Sequence, residues 1–289
     1  MVQKMIELLI GETASGKTSY IEGRTYKERM EVLNCDSRQI YRGFDIGTAK
    51  PSRELLNRVR HHLIDIINIT DDFSAGEFLK LSESILKREE NIIVSAGTPF
   101  YLNVLLNGID EIPKAKLETR KMIEEMHRER GNSGLHEFLS DVDPVRASQL
   151  NVNDTQRIKR SLEVYLDTGI PISRYFRKQK KAEINFGRIT YIRREKRILE
   201  ERVRERVKIM LAKGFIEEAE ALIKKHGPSV ILKKPIIGYV EALEYIEGNI
   251  DRERMIEEII RNTMGYIKRQ RIFFKKILLP FADIVEYIE

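Results

Sequence analysis

Short apolar runs alternate with longer amphipathic stretches through the first third of the chain. Lys4–Ile10 (K-M-I-E-L-L-I) is an apolar run that stops at a glycine-rich segment, which predicts a strand feeding a loop. A helix is predicted from Gly16 onward, a second strand over Glu31–Asn34 and a third over His62–Ile66. Ser74–Glu90 opens with the capping-box pattern Ser74-Ala75-Gly76-Glu77 and carries Phe78, Leu81 and Ile85 at helical spacing. Asn91–Ser95 predicts a buried strand. Thr98 then suits an N-cap, with Pro99 at the first helical position and Gly108 just past the end. Strands alternating with helices predict an α/β fold with a parallel sheet, whose ligands gather at the carboxyl ends of the strands.

The pattern changes after Pro113. Leu117–Arg130, Gly134–Ser140 and Asp154–Thr168 predict helices, with little strand signal before Arg188–Ile192, which predicts one strand returning to the sheet. Helices follow near 196–213, 215–225 and 251–276. The expected organisation is an α/β core of residues 1–112 and 187–289 interrupted by an all-helical insertion, 113–186.

Composition narrows the class. With 289 residues and 42% hydrophobic positions, the chain can bury a core and is long enough for two domains. No run approaches the 18 apolar residues of a membrane span, and the few apolar residues before Gly11 are too short for a signal-peptide core. The single cysteine, Cys35, cannot form an internal disulfide, which suits a reducing, cytoplasmic setting. The formal charge is +6, unevenly placed. Arg174–Lys208 holds 14 Lys/Arg against 5 Asp/Glu, and Arg261–Lys276 holds six basic residues and no acid. Such stretches fit either a phosphate-backbone footprint or solvated helix faces.

Gly11-Glu12-Thr13-Ala14-Ser15-Gly16-Lys17-Thr18 is a complete G-x-x-x-x-G-K-[ST] match between a predicted strand and a predicted helix. Backbone N–H groups of such a loop converge on phosphate oxygens, Lys17 neutralises the terminal phosphate and the Thr18 hydroxyl ligates Mg²⁺. A nucleotide hydrolase wants a second apolar strand ending in a metal-binding aspartate. Asn91–Ser95 runs instead into Ala96-Gly97-Thr98, without a carboxylate. Glu31–Asn34 does lead to an acid, Asp36, which reads either as a reactive group beside the loop or as a turn aspartate.

These motifs together resemble one family, the tRNA isopentenyltransferases. The loop is similar to that family's G-P-T-A-S-G-K-T, with Glu12 at the proline position. Asp36-Ser37-Arg38-Gln39-Ile40-Tyr41-Arg42-Gly43 and Asp45-Ile46-Gly47-Thr48-Ala49-Lys50-Pro51 resemble its D-S-x-Q-x-Y-x-G-x-D-I-G-T-A-K-P signature, and His61-His62-Leu63-Ile64-Asp65 continues the match. Ser95-Ala96-Gly97-Thr98-Pro99-Phe100-Tyr101 is similar to V-G-G-T-G-L-Y, with Ala96 replacing a glycine where its methyl could narrow the approach to a ligand. Asp154–Val164 resembles the helix D-x-Q-R-x-x-R-A-L-E-V. Gly238-Tyr239 and Lys268-Arg269-Gln270 also match, with Phe273 where tryptophan is common.

The resemblance implies a P-loop NTPase-like parallel-sheet core and transfer of a dimethylallyl group from its diphosphate to N6 of adenosine 37 in tRNA, by a monomer. It implies a diphosphate cradle of Gly11, Thr13, Ala14, Ser15, Gly16, Lys17, Thr18 and Ser19, with Mg²⁺ on Thr18. Asp36 would accept the N6 proton, Thr98 align it, and Arg206 stabilise the leaving group; on sequence alone Arg206 reads equally as a helix-surface ion pair. Asp36, Ser37, Arg38, Gln39 and Thr98 are implied tRNA contacts near the reaction. Arg120, the run Gln156-Arg157-Ile158-Lys159-Arg160, Lys268 and Arg269 are implied contacts farther along the chain. Rival classes are prenylation of a free adenine nucleotide, a P-loop kinase, and a non-catalytic RNA binder.

Overall fold

The computed structural model describes residues 5–88, 91–176 and 184–289. In chain order the elements are β1 (Met5–Gly11), α1 (Lys17–Lys27), β2 (Glu31–Cys35), α2 (Arg53–Arg58), β3 (His61–His62), α3 (Ala75–Arg88), β4 (Asn91–Ala96) and α4 (Pro99–Asn107). Then come α5 (Leu117–Val142), α6 (Pro144–Ala147), α7 (Thr155–Thr168), β5 (Arg188–Ile192), α8 (Lys196–Ala212) and α9 (Phe215–His226). The chain finishes with α10 (Ser229–Lys233), α11 (Tyr239–Ile246), α12 (Arg252–Leu278) and β6 (Val285–Ile288). It divides into two compact units, Met1–Leu106 with Ala182–Glu289, and Asn107–Lys181.

The first unit is built on a six-stranded sheet ordered β3-β2-β4-β1-β5-β6, and every strand pair is parallel. Leu9, Val32, Ile93 and Ile192 pack one face against Ile21 of α1 and Leu55 of α2. Register places the functional loops. Cys35 and Ile10 both pair with Ala96, and Ile10 also pairs with Tyr191. One residue farther along, Asp36, Gly97, Gly11 and Ile192 therefore stand side by side at the carboxyl edge.

The second unit is all-helical. Ile123, Leu135 and Leu139 of α5 pack with Ala147 of α6 and with Ile158 and Leu162 of α7. The two helices expected over 117–130 and 134–140 are both present: α5 consists of two helical segments that meet at Gly131, whose φ of 62° an L side chain rarely adopts. The Asp154 cap and the Gly169 stop of α7 follow the sequence pattern.

In the first unit the capping box is present, with Ser74 N–H donating to Glu77 at 2.8 Å and Glu77 N–H to Ser74 Oγ at 3.2 Å. The predicted third strand is corrected: β3 is only His61–His62, because Leu63 and Asp65 adopt φ of 62° and 54°, which end an extended strand. Five elements carried no prediction: α2, α6, α10, α11 and the edge strand β6. Lys4 and residues 89–90 of the expected elements lie outside the described residues.

The loop joining β2 to α2 is anchored from the carboxy-terminal half. Glu218 of α9 accepts the Ile46 N–H at 2.9 Å, and Tyr239 of α11 accepts the Gly47 N–H at 3.2 Å. Tyr239 is wholly buried between Phe44 and Phe215, with ring centroids 4.6 and 5.1 Å away. Gly47 lies against these rings so closely that an added Cβ would sit 2.3 Å from Tyr239 and 2.6 Å from Phe215. Overpacking of this kind costs about 1–3 kcal/mol. Gly47→Ala should therefore lower the urea unfolding midpoint by that free energy with an unchanged m-value.

Candidate active site

The loop after β1 wraps the start of α1. Gly16 has φ 110° and Ala14 φ 63°, backbone turns that point successive amides toward one centre. An added Cβ on Gly11 would lie 2.3 Å from Ser15 Oγ, so glycine is required there for the loop to close. Lys17 folds back over the loop, its Nζ donating to the Gly11 and Glu12 carbonyls at 2.6 and 3.1 Å. Two arginines brace the outer side. Arg202 donates to the Ala14 carbonyl at 2.7 Å and Arg194 to the Ser15 carbonyl at 3.2 Å.

Asp36 stands at the same edge. Its Oδ1 accepts the N–H groups of Arg38 and Gln39 at 2.8 and 3.3 Å, as a turn aspartate does. The other oxygen faces Gly97: a Cβ there would come 3.3 Å from Asp36 Oδ2 and 4.0 Å from Lys17 Nζ. The turn reading of Asp36 holds, and it leaves the second oxygen directed at Gly97. Thr98 occupies the N-cap position of α4, its carbonyl taking the Leu102 N–H, but its hydroxyl turns to accept Ser37 N–H at 3.1 Å.

Lys17, Asp36, Gln39, Arg202 and Arg206 share one cavity of about 290 Å³ with the phosphate loop. Burial holds the Lys17 ammonium down to about 8; Asp36 and Glu12 pull it up and Arg206 pushes it further down. Burial likewise lowers Arg206, against the opposing pull of Asp36, so its alternative as a helix-surface ion pair is replaced by a place beside the carboxylate. A lowered lysine pKa between an anion cradle and an aspartate marks a place where charge is managed. Thr18 is exposed at the mouth of α1, and no group of three or more metal-ligating side chains occurs among the described residues. Mg²⁺ typically keeps waters and takes one or two protein groups plus phosphate oxygens, so the Thr18 hydroxyl fits a metal brought with a diphosphate.

Other expectations need correction. Thr13 N–H is not directed at a phosphate: it donates to Gln270 at 3.0 Å. Ala96 is fully buried within β4, so its methyl does not line the cavity; Gly97 does. Gln39 turns its amide inward to the Thr48 and Ala49 carbonyls. Ile158 is wholly buried in the core of the second unit and presents no side chain to a partner. Nearby on α7, Gln156 is exposed, Arg157 pairs with Asp154, Lys159 with Glu124 and Arg160 with Glu163. Arg120, exposed on α5, belongs to the same unit, while Lys268 and Arg269 are exposed on α12 in the first. Residues 177–183 of the basic stretch lie outside the described residues.

Three side chains at the site carried no prediction. Tyr266 hydrogen-bonds Thr98 and is pushed up to about 12 by burial, so it stays a neutral phenol. Gln270 is buried between the loop and β4. Glu12, at the position where proline is usual, is fully buried and pairs with Arg271 at 2.7 Å and Tyr191 at 2.8 Å.

The IPP transferase family model matches residues 39–277. A tRNA dimethylallyltransferase of Geotalea daltonii is 36% identical over 273 residues, covering 93% of this chain and 84% of its own length. One from Pelobacter propionicus is 38% identical over 275 residues, covering 93% and 89%. The structure of a full-length tRNA isopentenylpyrophosphate transferase from Bacillus halodurans superposes with a TM-score of 0.66 at 28% identity, over 99% of this chain and 90% of that one. A eukaryotic dimethylallyltransferase shares the fold at a TM-score of 0.80 and 24% identity, over 99% and 73%. The core is that of P-loop NTPases, and its anion cradle faces a carboxylate where a hydrolase would carry a metal-binding acid on the next strand. The chain belongs to the IPP transferase family.

Raising the pH through about 8 removes the Lys17 positive charge from the cradle. The affinity for inorganic diphosphate should then weaken above that pH in wild type relative to Lys17→Met. Calorimetry on both proteins separates this from the ionisation of diphosphate itself, which is common to the two.

Proposed function

We propose that this enzyme transfers a dimethylallyl group from dimethylallyl diphosphate to N6 of adenosine 37 in tRNA, releasing diphosphate, as a cytoplasmic monomer. The observation that carries the reading is the pairing of a phosphate cradle with a single carboxylate across Gly97. An amine nucleophile attacking beside the cradle must lose a proton, and Asp36 is placed to take it. Family membership supports prenyl transfer, and the relatives named as acting on tRNA support the acceptor.

The residues divide the work as follows. Loop amides and Lys17 bind the diphosphate, and Arg202 and Arg206 add positive charge on the same side of the cavity. Mg²⁺ held between Thr18 and the diphosphate would neutralise further charge on the leaving group. As the allylic C–O bond breaks and C1 bonds to N6, the N6 proton passes to Asp36 Oδ2, the oxygen facing Gly97. Thr98 holds Ser37 and thereby the turn that carries Asp36. The adenine must leave its stack to reach this point. The exposed basic residues of α12 and the helical unit, taken as 113–186, would grip the RNA backbone. No helix among the described residues is long and apolar enough to cross a membrane.

The test is incubation with an anticodon stem-loop, labelled dimethylallyl diphosphate and Mg²⁺, followed by nucleoside mass analysis, with AMP as the competing acceptor. Isopentenylated adenosine in the stem-loop is the expected product; prenylated AMP or a phosphorylated acceptor would reject the reading. Asp36→Ala should slow single-turnover transfer 10²–10⁴-fold, a loss of about 2.7–5.4 kcal/mol, while tRNA affinity stays within a few-fold.

A further inference from the structure

Helix α12 meets the cavity with a face that the reaction as described above does not use. Gln270 is 1% exposed, and both ends of its amide are engaged. Its Oε1 accepts the Thr13 N–H at 3.0 Å and its Nε2 donates to the Gly97 carbonyl at 2.7 Å. One side chain thus spans from the phosphate loop to the residue across which Asp36 faces Lys17. One turn earlier Tyr266 bonds Thr98, which holds Ser37. One residue later Arg271 grips Glu12 in the loop. Loop, β4 end and β2 end are all tied to the same helix.

We propose that Gln270 is a positioning residue: by joining Thr13 to Gly97 it sets the spacing between the expelled diphosphate and the carboxylate that takes the acceptor's proton. This rests on the prenyl-transfer reading above. The polarity of the bridge is specific. The carbonyl end must meet an N–H and the amino end a carbonyl, which glutamine supplies and neither glutamate nor methionine does. Reacting groups held by such supports lose rate steeply when the spacing relaxes, because a displacement near 1 Å can cost about 100-fold. Both ends of the amide are spent on Thr13 and Gly97, so the bridge acts on the spacing of the reacting groups more than on substrate binding.

Gln270→Met keeps the volume and removes both bonds; Gln270→Glu keeps the acceptor for Thr13 and loses the donor to Gly97. Single-turnover transfer to the stem-loop should fall about 10–100-fold in both. The Kd values for stem-loop and inorganic diphosphate and the unfolding temperature should stay near wild type. Adding Gln270→Met to Asp36→Ala should slow transfer little beyond Asp36→Ala alone, since both changes act on one step. Wild-type speed in either Gln270 variant would overturn the bridge, as would a parallel loss of rate, affinity and thermal stability, which marks an ordinary structural tie. Wild-type protein that prenylates no RNA would overturn the reading beneath it, and the inference with it.

Discussion

The site depends on the close passage of three strand ends. Because Cys35 and Ile10 both pair with Ala96, the next residues on β2, β4 and β1 are Asp36, Gly97 and Gly11, set in a row about one strand spacing apart. The middle member has no side chain, and the Asp36 carboxylate and the Lys17 ammonium both face the space a Cβ would fill there. A side chain at Gly97 would separate them, and one at Gly11 would strike Ser15. The geometry is therefore a property of sheet register and two glycines, with the rest of the molecule holding the register fixed. That is one reason the loop after β2 is nailed down by Glu218 and Tyr239, 172 and 192 residues farther along the chain.

Electrostatics sets the second constraint. A carboxylate within an anion-binding loop opposes the loop's purpose, yet Glu12 lies in the second position and is fully buried. Arg271 and Tyr191 neutralise it through one oxygen, while Glu12 Oε2 has no hydrogen-bond partner. A buried unpaired oxygen carries a desolvation cost of about 1–3 kcal/mol. What this offsets is rigidity: where a proline ring would restrict the loop covalently, an ion pair to α12 holds it noncovalently. The Arg271 guanidinium reaches further, donating to the Arg194 carbonyl, so the same contact ties the loop to the segment after β5.

Sequence patterns showed the α/β alternation, the phosphate loop and Asp36, because each is a local signal: an apolar run, a fixed glycine spacing, an acid at a strand end. They also marked the helix over Asp154–Thr168, with its cap at Asp154. What they missed is non-local or short. Gln270 falls in the Lys268-Arg269-Gln270 match, but its bonds to residues 257 and 173 positions away are invisible in that local pattern. Helices α2, α10 and α11 have six, five and eight residues, too few to display a period. The third strand was overextended because a left-handed turn at Leu63 leaves no trace in hydrophobic pattern. Ile158 was drawn into an RNA-contact run by its neighbours, although its apolar character alone assigns it to the core.

The division of charge in the cavity explains why this P-loop core lacks a carboxylate after β4. In a hydrolase that acid helps hold a metal against a phosphate that is itself attacked. Here the phosphates only depart, so stabilisation is needed where negative charge accumulates, beside Lys17, Arg202 and Arg206. In the proposed reaction the opposite requirement, a place for a proton leaving a weakly basic amine, is met at Asp36. A carboxylate after β4 would stand between these two and repel the leaving group it should release. In the proposed reaction, an acid at the end of β2 rather than β4 leaves the proton acceptor within reach of the cradle without standing in front of it, which the three-strand register makes possible.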